Sequence, residues 1–569
     1  MNPLLLTDGY KTGHHQQYPE GTSLVFSNFT PRSNKYAPKG CDKVVSFGQQ
    51  MIVKQIYEAF DNDFFSKPKE EVCGEMKREL SMYLNTNYDV SHFEALHDLG
   101  YLPVEIRAIE EGNFVDIRVP VLCIHNTHSD FYWVTNYLET IISNLLWKPL
   151  TSATIASTYR KVLTSWMEKT DKEKAWFIDW QGHDFSMRGM DSVDAVISSG
   201  LGHATSFKGS DSLPVIHGAR KYYGETGVVV GSVNATEHSV MCAGSKDDEI
   251  ETFSRLLETY PTGILSIVSD TWDLWKVCTE HIVTLKEEIL ARDGKLVIRP
   301  DSGDPVDIIC GENESYRVIS KEDIDKPYIL PEGQKFIFIE ESSDTNQSFY
   351  TKTKDGYIPY ERLSKNKGVI ELLWEVFGGT ITDQGYKVLD PHIGAIYGDS
   401  ITIDRANEIC KRLEAKGFAS TNIVLGVGSF TYQYNTRDTF GFAMKATYVE
   451  VLERTGRCSM GGINAHNGCP DHGNGEICGD FEETCVSPDY KLVGREIFKD
   501  PITDDGVKKS AKGLLMVTQD ADGHYILKDQ VSWADVNSSE NKLQVIFKDG
   551  KFYNETTLTA IRQRLGITA

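Results

Sequence analysis

Between about Ala175 and Phe430 the sequence repeats one unit: a short apolar run, a cluster of glycines and polar residues, then usually a helical pattern. Six runs show it: AWFIDWQGHDFSMRG, GVVVGSVNATEHS, GILSIVSDTWD, KLVIRPDSGDP, IGAIYGDSIT and NIVLGVGSF. Segments between them, such as LWKVCTEHIVTLKEEILARDG and TIDRANEICKRLEAKGF, carry apolar residues at helical spacing. Strands alternating with helices predict a parallel sheet with right-handed crossovers. Six such units fit a (β/α) barrel better than an open sheet. In either architecture ligands bind at the carboxyl ends of the strands, and each run here places its polar residues at that end.

The flanks differ in character. Residues 1–150 are rich in aromatics, with alternating runs SLVFSNF and PVEIRAIEEGNFVDI that predict antiparallel strands, followed by the helical pattern FYWVTNYLETIISNLLW. Residues 431–569 predict more strands and a final short helix, LTAIRQRLG. The chain therefore reads as α/β, a (β/α) barrel over 151–430 with strand-rich segments on either side, 1–150 and 431–569. Two stretches interrupt this order. Residues of about 310–385 read as a small β-rich insertion, and about 453–490 are Gly- and Cys-rich without periodicity.

A formal charge of −23 argues against a nucleic-acid partner, because phosphate backbones attract basic faces. A small phosphorylated ligand needs only a few local cations. No apolar stretch approaches the roughly 20 residues that span a bilayer, and the N-terminal MNPLLLTDGYK lacks a basic n-region. Cysteines scattered from Cys41 to Cys410 suit a reducing compartment, so the expected location is cytoplasmic. The late cluster Cys458, Cys469, Cys478 and Cys485, with His466 and His472, has no Cys-x-x-Cys spacing. A structural zinc, a disulfide and free thiols all remain open there.

The strand ends supply Asp184, Phe185 and Arg188; Glu237 and His238; Asp270 and Asp273; Arg299 and Asp301; Gly398 and Asp399; and Gly426 with Gly428. The segment FKGSD, Phe207 to Asp211, follows a helix and could close over the same face. A phosphorylated sugar with Mg²⁺ needs this inventory: carboxylates for hydroxyls and metal, guanidiniums for phosphate oxygens, glycines for close backbone approach. Each residue alone has a duller explanation. Asp270 and Asp399 could cap the next helix, Arg299 could pair with Asp301, and His238 could be a satisfied loop histidine. The Gly-x-Gly at Gly426 lacks the third glycine of a dinucleotide fingerprint.

In order along the chain, LLTDGYKTGHHQQYP, HDFSMRG, FKGSD, TEHSV, VSDTWD, IRPDSGDP, YGDSI, LGVGSF, NTRDTFGFAMKAT, IFKDP and KKSAKG resemble the nicotinamide phosphoribosyltransferase family. The resemblance covers all but the two interruptions. It implies a dimeric type II phosphoribosyltransferase fold, an irregular (β/α) barrel catalytic domain packed with a β-rich domain built from the N- and C-terminal segments, that condenses nicotinamide with phosphoribosyl diphosphate to give nicotinamide mononucleotide and diphosphate. Two alternatives stand beside it: a nicotinate phosphoribosyltransferase, and a catalytically silent nucleotide sensor.

The resemblance also implies roles. Arg188 and Arg299 would clamp diphosphate; Asp301, Asp399 and Gly398 would grip the ribose hydroxyls; Asp270 and Asp301 would hold Mg²⁺; Gly428 and Ser429 would cradle the 5′-phosphate. Phe430, after Ser429, departs from the family's run of glycines. Phe185 and, from a second subunit, Tyr10 would sandwich the pyridine, while Asp211 would accept from its amide and repel nicotinate. Asp8, Ser232 and Ser266 join the substrate-binding set. His238 would be phosphorylated by ATP, with Glu237 or Asp270 orienting its ring. Arg32, Arg437 and Lys445, and less directly Lys499, would contact phosphate across the dimer.

Overall fold

A computed structural model describes residues 1–312, 363–398, 400–454, 490–499 and 510–567, together with the backbone of short strands between 316 and 359. Asp399 and the cluster Cys458, Cys469, Cys478 and Cys485 lie outside the described residues. The chain forms two compact units.

The first unit comprises Met1–Ile155, His217–Gly227 and Asn435–Ala569. Its seven-stranded sheet interleaves the two ends of the chain. Thr22–Thr30 lies at the middle, antiparallel to Ala443–Arg454 on one side and Leu122–Asn126 on the other. Ser27 and Asn28 are buried beside Val25, Phe26 and Phe29. Such polar groups must be paired: Ser27 Oγ donates to Glu139 at 2.7 Å and Asn28 Nδ2 to the Lys445 carbonyl at 3.3 Å. Helices Gln49–Phe60, Lys69–Leu84 and Ser91–Leu99 also belong here, a part of the chain whose alternating runs had pointed only to strands. Lys69–Leu84 buries Val72, Cys73, Met76 and Leu80, the three- and four-residue stripe of an amphipathic helix.

The second unit comprises Ala156–Ile216 and Val228–Tyr434. It holds a seven-stranded sheet in the order Gly209–Ser210, Gly182–Asp184, Ile423–Val427, Ile393–Tyr397, Asp293–Arg299, Thr262–Val268, Asn234–Ala235. Every pairing is parallel. A parallel bridge between Gly209 and Gly231 joins one edge strand to the segment leading into the other, so the sheet curls round on itself. Helices fill the crossovers. Ile403–Ala415 is capped by the Thr402 hydroxyl, which accepts from Arg405 N at 3.2 Å, and buries Ile403, Ala406, Ile409, Cys410 and Leu413.

Four details of the barrel differ from the sequence-based expectation. FKGSD is no closing loop: Gly209–Ser210 is a strand of the sheet, and Asp211 stands at its end. The apolar run Val228–Val230 is not a strand; in that segment Gly231, as an isolated bridge, and Asn234–Ala235 pair. The segment LWKVCTEHIVTLKEEILARDG is not one helix but short pieces around a π-turn at Val277–His281. Val369–Phe377, assigned above to the insertion, is a helix of this unit with Val369, Ile370, Leu372 and Leu373 buried. The insertion's own strands, Tyr316–Ile319, Lys335–Glu340, Ser348–Thr353 and Gly356–Pro359, form a separate four-stranded sheet. Among the described residues no helix is long and apolar enough to cross a membrane.

Candidate active site

The carboxyl ends of the parallel strands converge as their shared direction requires. The strand Gly182–Asp184 leads into Phe185 and the turn Met187–Gly189 that exposes Arg188. His183 and Phe185 are two residues apart, hence on one face, and their rings lie 4.5 Å apart. His183 Nε2 sits 2.8 Å from Asp211 Oδ1, and Ser232 Oγ donates to the same oxygen. Burial would raise the Asp211 pKa; the hydrogen bonds from His183 and Ser232, with the charges of His183 and Arg299, outweigh it and hold this carboxyl below the usual range. Ser266 Oγ is buried without a partner.

Arg299 ends the strand Asp293–Arg299. Its Nη2 donates to the Thr236 carbonyl at 2.6 Å, and its Nε is buried without a partner. Burial pulls the guanidinium pKa down, the carboxylates of Asp301, Asp211 and Asp270 counter this, and Arg188 adds to it. The sequence alternative of an Arg299–Asp301 ion pair is not formed. Two cationic forks in mutual repulsion, one with an unused donor, make a place for an anion with several oxygens.

The paired aspartates of the motifs divide their work. Asp273 caps Leu274–Lys276, accepting from Trp275 N and Lys276 N at 3.0 and 3.1 Å. Asp304 caps Pro305–Cys310, accepting from Val306 N at 2.9 Å. Asp270 does not cap the helix that follows it, the duller option above. Its Oδ2 accepts from Asp301 N, Ser302 N and Ser302 Oγ at 2.8, 2.7 and 2.6 Å, while its Oδ1 is buried with no partner. Gly398 lies so close that a Cβ there would stand 2.7 Å from Asp301 Oδ1.

His238, 47% exposed, places Nδ1 3.1 Å from Thr271 Oγ1 and Nε2 3.8 Å from Asp301 Oδ2. The ring thus meets Thr271 rather than Glu237 or Asp270: Glu237 accepts from the Ser239 hydroxyl, and Asp270 turns its Oδ2 to the 301–302 turn. A Cβ on Gly189 would clash with Ser429 Oγ, so glycine there lets the Arg188 turn press against the Gly428–Ser429 loop. Phe430 turns outward and stacks on Tyr434 with ring centroids 5.0 Å apart.

A cavity of about 780 Å³ opens from this cluster into the barrel, bordered there by His183, Phe185, Asp211, Ser232, Ser266 and Arg299. That volume lies in the range of small-molecule pockets.

The remaining expected residues lie in the first unit. Tyr10 is 66% exposed; burial and the neighbouring carboxylates of Asp8 and Glu139 raise its pKa. Asp8 accepts from Thr140 Oγ1 at 2.8 Å. Lys445 is pulled below the usual lysine range by burial, then by the positive charges of Arg32, Lys499 and Arg437. Arg32 Nε donates to the Gly441 carbonyl at 2.9 Å. The structure thus gathers two clusters, one in each unit. Sequence reasoning missed His183, Thr271 and Thr236; His183 was legible from its two-residue spacing to Phe185 on a strand, and Thr271 from its place directly after Asp270.

Residues 180–461 match the nicotinate phosphoribosyltransferase (NAPRTase) family, and residues 2–106 match the N-terminal domain of nicotinamide phosphoribosyltransferase. A protein of Acinetobacter baylyi named nicotinamide phosphoribosyltransferase is 44% identical, over 99% of this chain and 97% of its own. Proteins of the same name from Mycoplasma pneumoniae and Xanthomonas campestris are 31% and 27% identical, over 79% and 99% of this chain and 90% and 97% of theirs. Among solved structures, human nicotinic acid phosphoribosyltransferase aligns at 13% identity with a TM-score of 0.48, covering 98% of this chain and 93% of that one. The two family matches and the relatives that share most of the chain define a pentosyl-transferring enzyme. More narrowly, the chain belongs to the nicotinamide phosphoribosyltransferase family.

Proposed function

We propose that the protein transfers the phosphoribosyl group of 5-phosphoribosyl 1-diphosphate to nicotinamide, giving nicotinamide mononucleotide and diphosphate in NAD salvage. The observation that carries this is Asp211, held anionic by His183 and Ser232 beside the Phe185 ring. Pyridine with a neutral amide offers the N–H donor this oxygen wants; nicotinate offers a second negative charge. The ring lies on Phe185, with Ser266 Oγ as a further polar partner.

Displacement at C1 of the ribose builds positive charge on the sugar and negative charge on the departing diphosphate. Arg188 and Arg299 neutralise the diphosphate, and the free Nε of Arg299 supplies one donor already desolvated. Asp301, with the Gly398 backbone and Asp399, holds the ribose hydroxyls. Gly428 and Ser429 receive the 5′-phosphate. The pyridine nitrogen then forms the new bond to C1 as the C1–oxygen bond to diphosphate breaks.

Mg²⁺ commonly sits on one or two carboxylates plus substrate phosphates. No group of three or more His, Cys, Asp or Glu placed to hold a metal occurs among the described residues, but the unpartnered Asp270 Oδ1, with Asp301, fits that lighter requirement. Bound there with diphosphate, the ion would add charge neutralisation on the leaving group.

His238 is the group for ATP coupling. With Nδ1 against Thr271, its Nε2 is the nitrogen left to attack the γ-phosphorus of ATP, breaking the bond to ADP and leaving phosphohistidine. Tyr10, Arg32, Arg437 and Lys445 act in the site of a second subunit, where Tyr10 covers the other pyridine face and the cations meet phosphate. Purified protein given phosphoribosyl diphosphate, Mg²⁺ and each pyridine in turn, with and without ATP, tests the reading. Nicotinamide mononucleotide must form with nicotinamide, faster with ATP; product from nicotinate alone overturns it.

A further inference from the structure

His203 lies in the last turn of the helix Val193–Ala204 and is fully buried. Both of its ring nitrogens are engaged: Nε2 stands 3.0 Å from the Gly209 carbonyl and Nδ1 2.7 Å from the Tyr432 hydroxyl. Its flat face stacks on Phe207, ring centroids 5.1 Å apart. Burial holds the imidazole pKa below its ordinary value; Asp184 and the Gly209 carbonyl oppose this, His183 reinforces it, and the Gly182 carbonyl opposes it again. The ring is therefore neutral, with one donor and one acceptor. A carbonyl oxygen can only accept, so Nε2 carries the proton. Nδ1 is then the acceptor, and the Tyr432 hydroxyl donates to it.

The two partners belong to different parts of the site. Gly209 pairs with His183, bridges to Gly231, and precedes Asp211 by two residues. Tyr432, itself 1% exposed, sits in the helix Ser429–Gln433 that starts at the Gly428–Ser429 loop. An apolar ring could fill the same hole. The sequence instead places there a group whose two nitrogens are satisfied on two separate elements. Burying either nitrogen without its partner is costly, so the imidazole sets the spacing between those elements.

We propose that His203 is a positioning residue for both substrates. Through Nε2–H it fixes the strand that presents Asp211 to the pyridine amide; through Nδ1 and Tyr432 it fixes the Gly428–Ser429 loop for the 5′-phosphate. The inference rests on the pyridine and phosphate assignments made under the proposed function.

The test is steady-state kinetics on the full chain with phosphoribosyl diphosphate, Mg²⁺ and each pyridine, using amide side chains that copy one ring nitrogen at a time. His203→Gln keeps a donor for Gly209 and loses the acceptor for Tyr432. Its KM for phosphoribosyl diphosphate should rise about five-fold, the scale of one hydrogen bond, with the nicotinamide-over-nicotinate ratio of kcat/KM retained. His203→Asn keeps the acceptor and loses the donor, so the ratio should fall about five-fold while that KM is retained. Tyr432→Phe should reproduce His203→Gln, and it decides alone if the His203 variants do not fold. A lowered Tm with KM and ratio both unmoved assigns the ring to packing and overturns the proposal. Equal shifts of KM and ratio in every variant also overturn it. If the unaltered protein makes no nicotinamide mononucleotide, the underlying reading falls and this inference with it; product formed with constants that these changes do not move overturns the inference alone.

Discussion

His183 Nε2 and Asp211 Oδ1 stand 2.8 Å apart, joining the ends of two neighbouring parallel strands. On the proposed reading, the contact fixes a carboxylate that would tell a neutral pyridine amide from a pyridine acid. Replacing Asp211 by Ser is expected to cut the nicotinamide-over-nicotinate ratio of kcat/KM by roughly 10²-fold or more, given that a lost polar partner can govern discrimination of about 10⁴. His183→Phe should lower it less, acting through a looser Asp211 and showing mainly in KM for nicotinamide. Competition between the two pyridines measures both.

Arg299→Lys preserves the charge and loses the fork. A drop in kcat/KM of roughly 10²–10³ is expected, the scale of one lost charge-stabilising donor. Thermal unfolding should change little, because among the described residues the guanidinium makes a single hydrogen bond to the fold, at Thr236. A large loss of stability with unchanged kcat/KM would contradict the clamp role.

His238→Ala should abolish ATP hydrolysis and ATP stimulation while leaving slow phosphoribosyl transfer. Thr271→Val, which removes the partner of Nδ1, should slow phosphohistidine formation while preserving the transfer rate without ATP. Phosphorus NMR of protein incubated with ATP reads the modification directly.

Complementation addresses the shared site. Mixed and refolded Tyr10→Ala and His238→Ala chains should regain roughly a quarter of the unaltered ATP-stimulated rate if each site draws Tyr10 from its partner. No recovery in a verified heterodimer would assign Tyr10 to its own subunit.

One pH effect lies away from the chemistry. Burial pushes the Glu249 carboxyl up to about 7, and His281 Nε2 lies 3.3 Å away. The folded protein thus holds a proton there that the unfolded chain releases near the ordinary carboxylate value. The resulting stability is complete below the unfolded pKa and is lost as pH rises through about 7. Glu249→Gln should flatten that part of a plot of Tm against pH.

The strand–turn–helix rhythm was legible because parallel strands need apolar runs and their ends need polar residues. Phe185, Arg188, His238, Asp270, Arg299 and Asp301 could be picked out on that ground. The division of labour among aspartates was not. Asp270 and Asp273 look alike in VSDTWD, and only the path of the chain decides that one supports the 301–302 turn while the other caps a helix. FKGSD hid a strand because two residues are too few to show alternation. The helices of residues 49–99 were overlooked beside stronger strand signals. Gathering Arg32, Arg437, Lys445 and Lys499 depends on pairing residues more than 400 positions apart, beyond the reach of local spacing.

The bridge from Gly209 to Gly231 closes the curl of the sheet, and Asp211 and Ser232 come just after those glycines. On the proposed reading, the seam that closes this curl is also where the incoming base would be recognised. Glycine at 209 is part of that fit, because a Cβ would sit 2.7 Å from His183 Nδ1. Gly209→Ala is therefore a lesion of choice before it is a lesion of speed: a joint forced slightly ajar would admit the wrong pyridine while Arg188 and Arg299 still await the diphosphate.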